Sequence, residues 1–71
     1  MTASVNGSYR GHTIIIEADE ERAGRWRWSY LIDGRIATVA RAGLPDSQAA
    51  MREGLTAARA RVNMMERQRQ R

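Results

Sequence analysis

Aromatic and cationic side chains alternate in one short stretch, and their spacing is suited to binding chemistry. The stretch runs from Gly24 to Gly34 and contains both tryptophans and one of the two tyrosines, with arginines between them. Aromatic rings and guanidinium groups both stack on bases, so Trp26, Trp28 and Tyr30 could form a platform for single-stranded nucleic acid. Alternate residues of a strand share a face, so the same rings could instead form a core.

Catalytic and metal-binding chemistry has few candidate residues. The chain has no cysteine and a single histidine, His12, so it lacks the ligands of a zinc site. We expect His12 to be a hydrogen-bonded structural residue, because no motif places a nucleophile or carboxylate beside it. Asp33 is explained by a turn, and the sequence has no glycine-rich phosphate loop. These observations predict a non-enzyme without a metal or cofactor.

The charge is distributed unevenly along the chain. Its 71 residues suffice for one small domain, and all of the positive charge comes from arginine. Residues 1–46 carry six arginines and six acids, whereas residues 47–71 carry six arginines and two acids. The net charge of +4 therefore lies wholly in the C-terminal part. This asymmetry permits, without requiring, an anionic partner such as DNA or RNA.

The sequence shows no sign of secretion or membrane insertion. The N-terminus has neither the basic start nor the apolar run of a signal peptide. No apolar segment approaches the length that spans a bilayer. We therefore expect a cytoplasmic protein of bacterial type with no membrane partner.

The hydrophobic pattern predicts three strands followed by one helix. The strands are expected at about residues 9–18, 25–32 and 35–41, and the helix from Asp46 or Ser47 to about Met65. The predicted fold class is α+β, a three-stranded antiparallel β-meander packed on one face by a C-terminal α-helix. A disordered N-terminus over residues 1–8 and a basic flexible tail over residues 66–71 complete the prediction.

The Asp33-Gly34 dipeptide suits a type I′ turn and so predicts the register of the second hairpin. A two-residue turn places Ile32 opposite Arg35, Tyr30 opposite Ala37 and Trp28 opposite Val39. With the first strand added, the predicted core face consists of Ile14, Ile16, Trp26, Trp28, Tyr30, Ile32, Ala37 and Val39. The predicted opposite face carries Thr13, Ile15, Glu17, Arg27, Ser29, Leu31, Ile36 and Thr38. The register of the first strand against the second stays open, because their connecting loop is long.

The predicted helix decides between the two interpretations of the aromatic stretch. Its apolar residues recur at intervals of four and three, which gives one stripe along the helix: Met51, Leu55, Ala58, Val62 and Met65. Gly54 and Ala58 are small enough to let the helix approach the tryptophans. Since the aromatic face is the only large apolar surface available to this stripe, we favour the core interpretation over the stacking platform.

The pattern also resembles known DNA-binding domains. The run Gly24-Arg25-Trp26, the turn Asp33-Gly34 and the helix start Ser47-Gln48-Ala49 resemble the arm-type DNA-binding domains of integrases and AP2-like domains. That resemblance implies a three-stranded sheet with a helix and DNA as the partner. It covers residues 9 to about 62, but the chain lacks a basic Thr-Lys helix start and an attached catalytic domain. The chain equally resembles short uncharacterised bacterial β-β-β-α proteins, a resemblance that implies no function.

Two kinds of binding surface follow from these predictions. A nucleic-acid surface would combine the exposed sheet face with the basic helix and tail, through Arg25, Arg27, Ser29, Thr38, Arg52, Arg59, Arg67, Arg69 and Arg71. The alternative is an apolar patch of Ile15, Leu31 and Ile36 that a second copy, or another protein, would cover. It makes the chain a homodimer or an accessory or inhibitor protein.

Overall fold

A computed structural model describes residues 2–69, and the side chains of all of these except residues 41 and 42. Four antiparallel strands pair in chain order into one sheet: β1 (Thr2–Tyr9), β2 (His12–Arg22), β3 (Arg25–Ile32) and β4 (Ile36–Leu44). One helix, α1 (Ser47–Arg69), crosses one face of the sheet. We call this side the helix face and the other side the outer face. The predicted α+β class is confirmed, with four strands in place of three.

The additional strand, β1, lies in the segment that was expected to be disordered. It pairs with β2 from Thr2 opposite Asp19 to Tyr9 opposite His12. The connecting turn is Arg10-Gly11, with φ angles of 52° and 84°. Both residues of a type I′ turn need positive φ, and glycine adopts it without steric cost. Because this turn occupies residues 10 and 11, the strand predicted to start at Tyr9 starts at His12 instead.

The second hairpin contains the predicted turn with a different register. Asp33 and Gly34 both have positive φ, and the Arg35 N–H donates to the Ile32 carbonyl at 3.0 Å. Pairing nevertheless resumes one residue later than predicted, with Ile32 opposite Ile36. Arg35 is therefore an extra residue in the loop. A slip of one residue moves every side chain of the strand to the other face.

This slip reverses the predicted faces of β4. The structure pairs Tyr30 with Thr38 and Leu31 with Ala37, so Thr38 lies on the helix face and Ala37 on the outer face. The prediction that Ala37 and Val39 join the core is wrong, and Val39 is 64% exposed. The prediction that Ile36 and Thr38 lie on the outer face is also wrong. Ile36 packs against the core.

The core lies between the sheet and α1, as the aromatic pattern predicted. Its buried side chains come from β2, β3 and α1, and they include Trp28 and Tyr30. Their rings stack at a centroid distance of 6.0 Å. Trp26, at the end of β3, is only partly buried.

Gly54 is a point of close approach between α1 and the sheet. A Cβ atom built on Gly54 would lie 3.0 Å from Ile16 Cγ2 and 3.2 Å from Trp28 Cβ. Both distances are shorter than ordinary van der Waals contact, so only glycine fits the present spacing. The prediction that Gly54 lets the helix approach the tryptophans is confirmed.

α1 extends beyond its predicted end at Met65. Residues 66–69, which were assigned to a flexible tail, continue the helix to Arg69. The side chain of Glu66 is only 19% exposed, because it reaches back to the sheet. Within residues 2–69, no helix is long and apolar enough to cross a membrane.

Candidate functional site

His12 lies at a corner where the sheet, a turn and the helix meet. Its Nδ1 is 2.6 Å from Asp33 Oδ2, and its Nε2 is 3.4 Å from Glu66 Oε1. The other oxygen of Asp33 accepts a hydrogen bond from the Thr13 N–H at 3.0 Å. We call the set His12, Asp33 and Glu66 the histidine clasp. It joins β2, the β3–β4 turn and the last turns of α1.

The clasp shifts the pKa values of two of its members in opposite directions. The hydrogen bond to Asp33 raises the pKa of His12 above its ordinary value of 6.5, and the charges of Asp33 and Glu66 act in the same direction against the lowering effect of burial. The same hydrogen bond, with that from the Thr13 N–H, lowers the pKa of Asp33 below 3.8. His12 is 8% exposed and both ring nitrogens face carboxylates. This arrangement supports the expected structural role of His12.

A second set of polar contacts adjoins the clasp. Asn63 Oδ1 accepts hydrogen bonds from Tyr9 Oη at 3.1 Å and from Arg10 Nη1 at 2.8 Å. The guanidinium carbon of Arg59 lies 5.5 Å from the centroid of the Tyr9 ring, a cation–π contact. These contacts fix the C-terminal half of α1 to the β1–β2 turn.

Two of the three rings of the aromatic stretch are not open for base stacking. Trp28 and Tyr30 are each only 7% exposed, beneath α1. Trp28 Nε1 donates a 2.7 Å hydrogen bond to Glu53 of α1, so its polar atom is also used within the fold. Base stacking needs an open aromatic face. The two rings are therefore structural.

The structure separates one of the four predicted sheet residues of the nucleic-acid surface from the other three. Arg27 lies on the outer face but donates to Asp19 at 2.9 Å, and this hydrogen bond raises the pKa of Arg27. Thr38 lies on the helix face, opposite Tyr30. Arg25 is exposed at the start of β3, and Ser29 is half-buried on the outer face. Arg25, Arg27 and Ser29 are therefore alternate residues of β3 on the outer face, with Arg27 bound to Asp19, and Thr38 alone lies on the other face.

The predicted helix residues do lie on one surface. Arg52, Arg59 and Arg67 are exposed and follow one another at intervals of seven and eight residues, about two helical turns each. We call these three residues the basic face. Arg69 is also exposed, but it lies 3.8 Å from Glu66. Arg71 lies outside the described residues.

The carboxylates of α1 do not neutralise the basic face. Glu53 accepts the hydrogen bond from Trp28, and Glu66 takes part in the histidine clasp. Both acids of the helix are therefore directed to the sheet. The exposed arginines of the basic face form a row of like charge, in which Arg59 also contacts the Tyr9 ring at the edge of the sheet.

The predicted protein interface is only partly assembled. Ile15 lies opposite Leu31, and Leu31 opposite Ala37, so these side chains form a row across three strands on the outer face. Ile36 was predicted to join them but lies on the helix face. Val39 takes its place in the apolar patch, which we define as Ile15, Leu31, Ala37 and Val39.

The histidine clasp could not be recognised in the sequence. Asp33 and Glu66 lie 21 and 54 residues from His12 in the sequence, and each of the three residues has a local explanation as a strand, turn or tail residue. Across residues 2–69, no group of three or more histidine and acidic side chains is arranged to hold a metal ion. A comparison of the chain with family models, curated proteins and solved structures finds no match.

Proposed function

We propose that the protein is a small non-catalytic module that binds nucleic acid through the basic face of α1. The observation that carries this proposal is the separation of charge on the helix. The arginines of the basic face are exposed on the helix surface, whereas Glu53 and Glu66 are held by Trp28 and His12. Such a row of guanidinium groups attracts phosphates, and it gives sequence-independent affinity.

The spacing of the basic face suits a nucleic-acid backbone. Arg52 and Arg59 are about 10 Å apart along the helix axis, and Arg59 and Arg67 about 12 Å. Each strand of a duplex offers a phosphate about every 3.4 Å along its axis, so each arginine meets a phosphate without a defined register. Three such contacts predict a slope of about −2.7 in a plot of log K against log salt concentration.

Fluorescence anisotropy with a labelled mixed-sequence duplex, measured over a range of salt concentrations, tests the proposal. The variants Arg52→Gln and Arg67→Gln should each weaken binding and reduce the slope by about 0.9. Arg25→Gln is the matched control, because it removes the same charge from an exposed position outside α1. If Arg25→Gln changed the slope as much as Arg52→Gln, the basic face would not be the binding surface.

The same titration should include single-stranded RNA and DNA of equal length. Phosphate contacts alone predict binding to all three ligands, with a shallower slope of about −2.1 for the single strands. The absence of saturable binding to any of them at low salt would refute the proposal. A truncated protein that tests the C-terminal arginines should lack residues 67–71 only. Glu66 should be retained, because it is part of the histidine clasp.

Self-association through the apolar patch is a second candidate function. The observation in its favour is the row Ile15, Leu31 and Ala37 on a sheet face that no element covers in the described part of the chain. Val39, at 64% exposure, extends this row. Leu31→Asp should abolish a dimer seen by sedimentation at two concentrations, without changing the salt slope. A mass that stays monomeric at the higher concentration would exclude this candidate.

A further inference from the structure

β1 is an open edge of the sheet. It pairs with β2 on one side, and no strand of the described chain pairs with its other side. An edge strand directs about half of its N–H and C=O groups away from the sheet. Residues 2–9 include no proline and no charged side chain, the two devices that commonly block an edge. β1 is therefore free to accept a further strand.

An apolar slot lies beneath this edge. It has a volume of about 180 Å³, and its walls include Val5 and Gly7 of β1, Ile14 and Ile16 of β2, and Leu55 of α1. The slot lies beneath Gly7, which has no side chain to fill it. A Cβ atom built on Gly7 would meet no other atom within 4 Å, and Val5 remains 51% exposed.

The mouth of the slot is cationic. Arg59 lines it and lies over the ring of Tyr9, two residues from Gly7. Gly7 and Tyr9 pair with Ile14 and His12, which are both on the helix face. A strand added along β1 would therefore have one side chain facing the slot beside Gly7. The side chain two residues along would face Arg59.

We propose that β1 and this slot bind an extended segment of a partner protein by strand addition. The segment carries an aliphatic side chain opposite Gly7 and a carboxylate opposite Tyr9, on the same face and two residues apart. Backbone hydrogen bonds to the edge of β1 supply affinity, and the slot and Arg59 supply specificity. This surface shares only Arg59 with the basic face, so the two proposals fail separately.

Charge complementarity identifies the occupant as a partner protein rather than a second copy. If two copies paired through β1, each would offer the other a strand without charge. No residue of β1 could supply a carboxylate to pair with the Arg59 guanidinium. An acidic segment of another protein satisfies both the slot and Arg59.

A synthetic capped peptide of sequence Ser-Thr-Val-Thr-Glu-Thr-Val-Thr-Ser tests the proposal. Its glutamate is flanked on the same face by valines in both directions, so it fits a parallel or an antiparallel addition. Titration calorimetry should show saturable binding, and hydrogen exchange should slow at the amides of residues 2–9. A matched peptide with glutamine in place of glutamate should bind about two- to fivefold more weakly.

Two variants test the contribution of the slot and the contribution of the Arg59 charge separately. Gly7→Leu fills the slot with the protein's own side chain and should weaken peptide binding at least tenfold, while nucleic-acid binding is unchanged. Arg59→Gln should remove the preference for the glutamate peptide. Arg61→Gln, an exposed helix position outside the slot, should retain it.

Four results would each overturn the proposal. They are no saturable binding of the glutamate peptide at millimolar concentration, full binding by Gly7→Leu, and an unchanged glutamate preference in Arg59→Gln. The fourth is a protein that dimerises without peptide and already protects the amides of β1, because the edge would then be occupied by a second copy. The Arg59→Gln comparison remains decisive even if Gly7→Leu lowers stability.

Discussion

Replacement of Gly54 by alanine measures how tightly α1 is packed on the sheet. The new Cβ atom would lie 3.0 Å from Ile16 Cγ2 and 3.2 Å from Trp28 Cβ. Neither neighbour can move alone. Trp28 Cβ is bonded directly to the backbone of β3, and Ile16 is a fully buried, β-branched side chain with a restricted rotamer. The helix must therefore move away from the sheet, or the strands must bend.

Two opposing contributions determine the expected change in stability. Overpacking of a well-packed core costs about 1–3 kcal/mol. Alanine is favoured over glycine within a helix by about 1 kcal/mol. The net result should be a loss of about 1 kcal/mol in the free energy of unfolding. For a domain of this size, that loss lowers the melting temperature by about 4–8 °C.

A second variant separates these contributions. Ala60→Gly, at an exposed position of the same helix, measures the helix preference alone and should cost about 1 kcal/mol. Urea unfolding of Gly54→Ala, of Ile16→Ala and of the two combined gives the steric contribution as a coupling energy. If Gly54→Ala stabilised the protein by as much as Ala60→Gly destabilises it, the close contact with Ile16 and Trp28 would be refuted.

Two further predictions concern the histidine clasp and the core. The clasp should stabilise the fold most between about pH 4 and pH 6.5, because its contribution is lost as pH rises through the raised pKa of His12 and as pH falls through the lowered pKa of Asp33. Asp33→Asn should lower the pKa of His12 towards 6.5 in an NMR titration, and an unchanged pKa would contradict the clasp. Trp28→Ala should cost about 3–5 kcal/mol in urea unfolding, since it empties a core site and removes the partner of Glu53. A sharp, unshifted thermal transition of this variant would contradict the assignment of the aromatic face to the core.

The sequence pattern predicts a strand and its buried face correctly where hydrophobicity and periodicity agree. The alternation of Trp26, Trp28, Tyr30 and Ile32 predicted the bounds and the buried face of β3. The stripe on α1 explains why: an amphipathic helix and an aromatic strand can each bury their apolar surface only against the other. That mutual requirement does not depend on the register of neighbouring strands.

β4 shows where the same reasoning fails. Its residues Ile36 to Ala40 include no charged side chain, and their one polar residue, Thr38, is small enough to be tolerated on either face, so the pattern does not select a register. The choice then depends on the loop, where one extra residue, Arg35, separates the turn from the strand. Asp33 also forms hydrogen bonds with Thr13 and His12 of β2. Rules that predict a turn from its own residues do not include these contacts.

The sequence pattern does not predict β1, for a different reason. Its composition of small polar residues is typical of a disordered end, and its turn, Arg10-Gly11, lacks the Asn or Asp that marks most two-residue turns. The signal that was present is the alternation of Thr2, Ser4, Asn6 and Ser8 with less polar residues. That alternation places the polar side chains on the outer face of the sheet.

The contacts of Asn63 and Glu66 have a kinetic consequence. They join the last turns of α1 to Tyr9 and His12, over 54 residues of sequence. Closure of so long a loop costs conformational entropy before its contacts form, which slows folding. The C-terminal turns of α1 should therefore become ordered late, after the β1–β2 hairpin. Variants of Asn63 or Glu66 should then speed unfolding and leave the folding rate nearly unchanged.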